Sequence, residues 1–214
     1  MNSANVLYDY LPSGNGYKVR LVCKHLTIPY RFVQMDITRG ATRTPEFLAM
    51  NPNGRIPLLE VPGRGPLAES HAIISFLADG SDLYPADPWQ RALLWQWLCF
   101  EQYNLEPNIG TARFWLTSMH KTPAELGDKL IDKAAKGHDA LKVLERGLTG
   151  KRFLVADRFT LADIALYAYT HVTPEAGLVL DTYPAIRAWI ARVAAQPGAC
   201  ADHVGLKRGQ FVKS

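Results

Sequence analysis

Strand-like patterning is confined to the first eighty-odd of this chain's 214 residues, and this change of periodicity constrains the fold more than any other feature. Val6-Leu7-Tyr8 reads as a short buried strand, ended by Pro12 and the Gly14/Gly16 pair. Val19, Val22, Cys23 and Leu26 then recur at helical spacing on one face. Tyr30 to Val33 reads as a second strand and Pro45 to Met50 as a short helix, followed by the turn Asn51-Pro52-Asn53-Gly54. Ile56 to Val61 reads as a strand, Pro62-Gly63-Arg64-Gly65 as a hairpin turn, and Leu67 as the start of a return strand. Glu69-Ser70 then precedes a helix carrying Ile73, Ile74, Phe76 and Leu77. The predicted order is β-α-β-α-β-β-α.

Beyond that point only helical periodicity continues. Asp87 is a good N-cap with Pro88 at the first helical position. Helical patterns cover about 88–118, 123–147, 160–173 and 183–195, with a last short one near 199–206. The sequence therefore predicts an α/β domain over residues 1–82, a linker at 83–88 and an all-α domain over 89–214. It contains no internal repeat.

Composition narrows the function classes. No apolar run reaches the ~18 residues of a membrane span, and MNSANVLYDY lacks the basic region and apolar core of a secretory signal. A soluble, cytoplasmic protein with no membrane partner is expected. The cysteines Cys23, Cys99 and Cys200 are far apart, with neither metal-ligand nor CxxC spacing. Sparse cysteines argue against a disulfide framework and fit a reducing compartment. A net charge of +4 comes from scattered lysines and arginines, so nucleic acid is not an expected partner. A mildly basic surface also attracts small anions.

Four local motifs then carry a family resemblance: Ser13-Gly14-Asn15-Gly16 between the first strand and helix, Asn51-Pro52-Asn53-Gly54-Arg55-Ile56-Pro57-Leu58-Leu59, Glu69-Ser70-His71-Ala72-Ile73, and Phe159-Thr160-Leu161-Ala162-Asp163. In this order and spacing they resemble the cytosolic glutathione transferases, over nearly the whole chain. The resemblance implies a thioredoxin-like N-terminal α/β domain and an all-α C-terminal domain. It also implies glutathione as co-substrate, no metal, a small electrophile or disulfide as second substrate, and a homodimer. Phe47 or Met50 is then a candidate for insertion into the partner, although the local helix has an equal claim on both.

Family members of serine type use a hydroxyl at the position of Ser13, and some bacterial relatives use a Thr-x-Asn arrangement that Ser13-x-Asn15 resembles. Ser13 is the first candidate thiolate stabiliser and Asn15 the second, with Tyr8 and Tyr10 as substitutes. A thiol with a pKa near 8.5 is acidified at a helix N-terminus or by hydrogen-bond donors. The alternative for Ser13 is a plain N-cap, with Asn15 a turn residue. Because Ser13 and Gly16 stand where redox relatives carry CxxC, a protein dithiol is excluded in this loop.

By the same resemblance a cis Ile56-Pro57 bond turns the Ile56 backbone toward the cysteinyl part of glutathione. Ser70 caps the third helix and binds the γ-glutamyl carboxylate, Glu69 pairs with the γ-glutamyl ammonium, and Arg55 or Arg39 takes the glycyl carboxylate. Leu11, Pro12, Tyr103, Arg113, Phe114 and Trp115 are candidates for the electrophile pocket, or else core. His71 and His120 are expected to be bystanders. Thr160 and Asp163 form a capping box with Phe159 and Ile164 as its staple, a folding device. Conjugation of glutathione to an electrophile is the first functional expectation. Glutathione-dependent disulfide reduction and a non-catalytic relative are the alternatives.

Overall fold

The computed structural model describes residues 4–196, so the short helix expected near 199–206 lies outside the described residues. Four strands form one sheet in the order β2-β1-β3-β4: β1 (Asn5–Asp9), β2 (Tyr30–Gln34), β3 (Leu58–Val61) and β4 (Gly65–Ala68). β1 and β2 are parallel, joined across α1 (Gly14–His25), while β3 runs antiparallel to β1 and β4 antiparallel to β3. Leu7 pairs with Phe32 on one side and Leu59 on the other, placing a fully buried leucine pair at the sheet centre. Alpha helices α2 (Pro45–Met50) and α3 (Ser70–Leu77) complete the mixed unit. The β-α-β-α-β-β-α order is as the sequence predicts.

Strand ends differ in detail. β3 begins at Leu58, so Ile56 and Pro57 lie in the connection before it, and the Ile56-Pro57 peptide is cis. β4 begins at Gly65, two residues earlier than Leu67, because Arg64 N–H closes the turn on the Val61 carbonyl at 3.0 Å. Ser70 does not cap α3. It is the first helical residue, and Glu69 occupies the cap position with φ +69° and no side-chain cap bond. Phe47 of α2 is 2% exposed and packs edge-on against Tyr8, so its own subunit already buries it.

From Pro88 to Ser118 the chain is helical without a break but not uniformly α. The α-helices α4 (Pro88–Phe100) and α5 (Thr111–Arg113) alternate with π-helical stretches at Glu101–Gly110 and Phe114–Ser118. Pro107 lies inside the first π stretch and has no N–H to give to the preceding turn. Side-chain amides occupy carbonyls nearby: Asn104 donates to the Phe100 carbonyl and Asn108 to the Asn104 carbonyl. The remaining helices are α6 (Pro123–Leu126), α7 (Asp128–Leu148), α8 (Leu161–Thr170) and α9 (Pro184–Ala194). The predicted 123–147 helix is thus two helices, broken at Gly127, whose φ of +48° an α-helix cannot contain.

α8 is buried along its whole length and organises the molecule, packing against α4, α9 and, across the interface between the two units, α1. Asp163 in its first turn accepts from the Thr160 N–H and hydroxyl, the Leu154 N–H and Trp189 Nε1–H, the last at 2.8 Å. The expected capping box is therefore present and is also the knot that ties α8 to α9. The fold is thioredoxin-like in its first unit and helical in its second, and no helix among the described residues is long and apolar enough to cross a membrane.

Candidate functional site

The loop between β1 and α1 is pinned one carbonyl at a time. Ser13 N–H donates to the Tyr10 carbonyl at 2.7 Å, Arg20 Nη2 to the Leu11 carbonyl at 2.8 Å, and Arg113 Nη1 to the Pro12 carbonyl at 2.7 Å. Arg20 is itself ion-paired to the buried Asp9 beneath it. Arg113 reaches back from the helical unit and is fixed by Glu175 at 2.7 Å. Three donors, two from α1 and its cap and one from α5, thus hold the backbone where Ser13 begins α1.

Ser13 is the α1 N-cap, its Oγ accepting from the Gly16 N–H at 3.3 Å. A hydroxyl that accepts this way still has its own hydrogen to donate. Both the cap reading and the donor reading of Ser13 are therefore geometrically open at once. Asn15, in the first turn of α1, accepts at its Oδ1 from Lys18 Nζ at 2.8 Å and faces the Ser70 hydroxyl at 3.5 Å. Tyr169 of α8 sits under this turn, where a Cβ on Gly14 would lie 2.5 Å from its ring and one on Gly110 2.7 Å. Two glycines, one from each unit, make room for that ring.

Beneath the loop lies a buried ionic cluster. Lys18 Nζ is 2.7 Å from Glu101 Oε2, and His71 Nε2 is 2.9 Å from the same oxygen. Burial pushes the Glu101 carboxyl up, but the Lys18 ammonium and the His71 bond outweigh it and hold the group below the usual carboxylate range. Burial and the Lys18 charge lower His71, so it stays neutral at pH 7. His71, expected to be a bystander, is part of this cluster. The three residues are far apart in sequence, and no local spacing announces them.

Above the loop a cavity of about 570 Å³ opens between the two units. Pro12, Ser13, Asn15, Arg55, Ile56, Arg113 and Phe114, all singled out from the sequence, line it. A small adjoining pocket of about 50 Å³ is lined by Asn15, Arg55, Ile56, Pro57, Glu69 and Ser70, together with Asn51, Gln102 and Glu106. The expected glutathione residues are thus gathered around one place, apart from Arg39. Its side chain is 86% exposed, pairs with Asp36 at 3.4 Å and lines neither cavity. Leu11, Trp115 and Tyr103, the last 82% exposed, also line neither. Arg113 lines the cavity, but its guanidinium is engaged by Pro12 and Glu175. Tyr8 donates to Glu60 at 3.1 Å and lines neither cavity, whereas Tyr10 lines the large one.

Residues missed from sequence include Arg43, Glu106 and Tyr169, while Tyr10, a substitute candidate from the sequence, is a wall residue. Arg43 follows a stretch with no helical or strand signal, and it donates to the Asn53 carbonyl at 3.2 Å across the turn. Glu106 faces the Asn15 amide, and burial, then the Glu101 charge, raise its carboxyl above the usual range. Among the described residues no cluster of three or more histidines, cysteines or acidic groups could hold a metal ion. Cys23 is buried, which pushes its thiol up to about 12. It is chemically quiet.

Comparison with known proteins finds similarity over most of the chain. A model described as "Glutathione S-transferase, N-terminal domain" matches residues 12–79, and one described as "Glutathione S-transferase, C-terminal domain" matches residues 111–197. Glutathione S-transferase 3 of Zea mays is 33% identical over 200 residues, covering 89% of each chain. Disulfide-bond oxidoreductase YfcG of Escherichia coli K12 is 27% identical over 88% of this chain and 89% of its own. A crystal structure of a possible glutathione S-transferase from Rhodopseudomonas palustris superposes with a TM-score of 0.90 at 45% identity, covering 94% of this chain and 98% of that one.

Proposed function

Because this chain belongs to the glutathione S-transferase family, we propose that it binds glutathione across its two adjoining cavities and activates the thiol for attack on a small electrophile. The observation that carries this reading is the pinned loop, which sets the Ser13 hydroxyl and the N-terminus of α1 against the large cavity. In this reading the γ-glutamyl end occupies the small pocket beside Glu69 and Ser70, and the cysteinyl backbone lies along Ile56. The glycyl carboxylate meets Arg55.

The thiolate then gains from the α1 dipole, from the Ser13 hydroxyl and from the Asn15 amide. Stabilisation of this kind costs no reorganisation when the donors are already held in place, and here three backbone carbonyls are tied down to hold them. The electrophile enters over Pro12 and Phe114. In a substitution the sulfur lone pair forms the new S–C bond while the leaving group departs with its own electron pair.

Glutathione-dependent disulfide reduction is the second reading, favoured by the Ser-x-Asn loop and by the similarity to a disulfide-bond oxidoreductase. In that case a bound glutathione thiolate attacks the substrate disulfide, because the loop carries no cysteine of its own. Turnover of an aromatic halide beside hydroxyethyl disulfide separates the two. Faster turnover of the halide supports conjugation, and turnover of the disulfide alone replaces it with reduction. No glutathione binding by calorimetry rejects both.

A further inference from the structure

We propose that Glu106 accepts the proton of the glutathione thiol, so that sulfur and carboxylate share a single proton inside the site. The proposal rests on the glutathione-binding reading above. A peptide lying from the small pocket to the Ser13 loop must cross the place where the two cavities join. Among the described residues only Asn15, Arg55, Ile56 and Glu106 belong to the walls of both cavities. Of those four side chains, Glu106 alone carries a carboxylate, the group that can take up a proton. The other nearby carboxylates are unsuited. Glu101 is fully buried in its bonds to Lys18 and His71 and lines neither cavity, while Glu69 lines the small pocket only.

The surroundings of Glu106 fit a proton acceptor. It feels Glu101 from its own helical run, Lys18 and Asn15 from α1, and Arg55 from the connection before β3, and its charge is felt in turn by Tyr169 of α8. Burial and the Glu101 charge both work against a second negative charge here. A thiolate formed alongside would be a third anion in the cluster. Like charges that interact strongly in one buried site do not ionise independently, and such a pair titrates as a unit. The balanced step breaks the S–H bond and forms an O–H bond on Glu106, leaving the electron pair on sulfur and the net charge of the site unchanged.

Asn15 connects the two ends of this transfer. Its Oδ1 is committed to Lys18, so its amide hydrogens face the opposite way, and they stabilise the Glu106 carboxylate. Once that carboxylate is neutral, the amide is released to the new anion on sulfur. Lys18 is thereby a positioning residue, fixing which end of Asn15 faces the ligand.

The test compares two quantities on glutathione binding near pH 7. Thiolate formed is read from ultraviolet difference absorbance. Net proton release is read by calorimetry in buffers of unlike ionisation enthalpy. The wild-type protein is expected to form thiolate while releasing far less than one proton for each thiolate. Glu106→Gln is expected to bind glutathione within about threefold of wild type but to release close to one proton per thiolate, with that thiolate appearing at higher pH. Stoichiometric proton release by the wild type overturns the proposal without any variant. A Glu106→Gln protein that loses more than about tenfold in affinity, with an unchanged thiolate titration, also overturns it and makes Glu106 a ligand contact. A wild type that binds glutathione without forming thiolate overturns it together with thiol activation, and one that binds none rejects the parent reading.

Discussion

Ser13 divides its hydrogen-bonding capacity between folding and the cavity. Its oxygen caps α1 through the Gly16 N–H, and its hydrogen remains for a ligand. Ser13→Ala is expected to cost about 0.5–2 kcal/mol of stability as a lost cap. In the proposed function it also slows thiol chemistry by about a hundred- to a thousandfold, as loss of one anion donor does. Urea unfolding and steady-state rates measure the two losses separately. Asp163 is a folding residue with a larger stake than its motif suggests. A capping box alone implies about 0.5–2 kcal/mol for Asp163→Ala, but the carboxylate also takes Leu154 N–H and Trp189 Nε1–H in a fully buried setting. Stranding those donors raises the expected loss to about 3–5 kcal/mol. Burial pushes the Asp163 carboxyl up to about 6. The folded state therefore holds this proton more tightly than the unfolded chain. Stability from this group is complete below about pH 4 and declines as pH rises through about 6. Denaturation midpoints of Asp163→Asn should lack that part of the decline. The cap was legible because its four residues are contiguous. Its bonds to Leu154 and Trp189 were not, because they come from elements distant in the chain.

The run from 88 to 118 shows what element-scale periodicity conceals. Its length was readable from the Asp87-Pro88 start and the continuous helical spacing. Its π stretch was not, because a widened turn changes which residues share a face without changing composition. In an α-helix, neighbours on one face are three or four apart. Here the wider turn brings Glu101 and Glu106, five apart, into one electrostatic neighbourhood under the site. The same run supplies Glu101 to the Lys18 ammonium of α1. Lys18→Met strands a buried carboxylate and is expected to destabilise by about 3–5 kcal/mol, read as a drop in the urea midpoint. Gly14 and Gly110 serve the packing of α8 against both units. Gly14→Ala would place a Cβ 2.5 Å from the buried Tyr169 ring, and a loss of about 1–3 kcal/mol in thermal denaturation is expected. Wild-type stability in that variant would contradict the close packing.

At the scale of the molecule, the site exists only where the sheet unit and the helical unit meet. The first contributes the Ser13 loop, Arg55, Ile56 and Ser70, and the second contributes Glu106, Arg113 and Phe114. The four sequence motifs exposed most of the first contribution, since each is a local turn or cap with its own residue signature. The second contribution comes from side chains at helical spacing, where core and cavity residues look alike. Arg113 and Phe114 reached the cavity and Tyr103 did not for that reason. Trp89, Trp95 and Tyr103 of the same helical run are exposed instead. Burial of Phe47 removes it as the residue inserted into a partner. The most direct measurement of the central claim is a thiolate-absorbance titration of bound glutathione, in the wild type and in Ser13→Ala. The bound thiol of the wild type should ionise at least about one pH unit below the free-thiol value near 8.5, and Ser13→Ala should move it back upward while binding persists. Tight binding with the thiol ionising where free glutathione does would contradict thiol activation and leave a binding protein on a transferase fold.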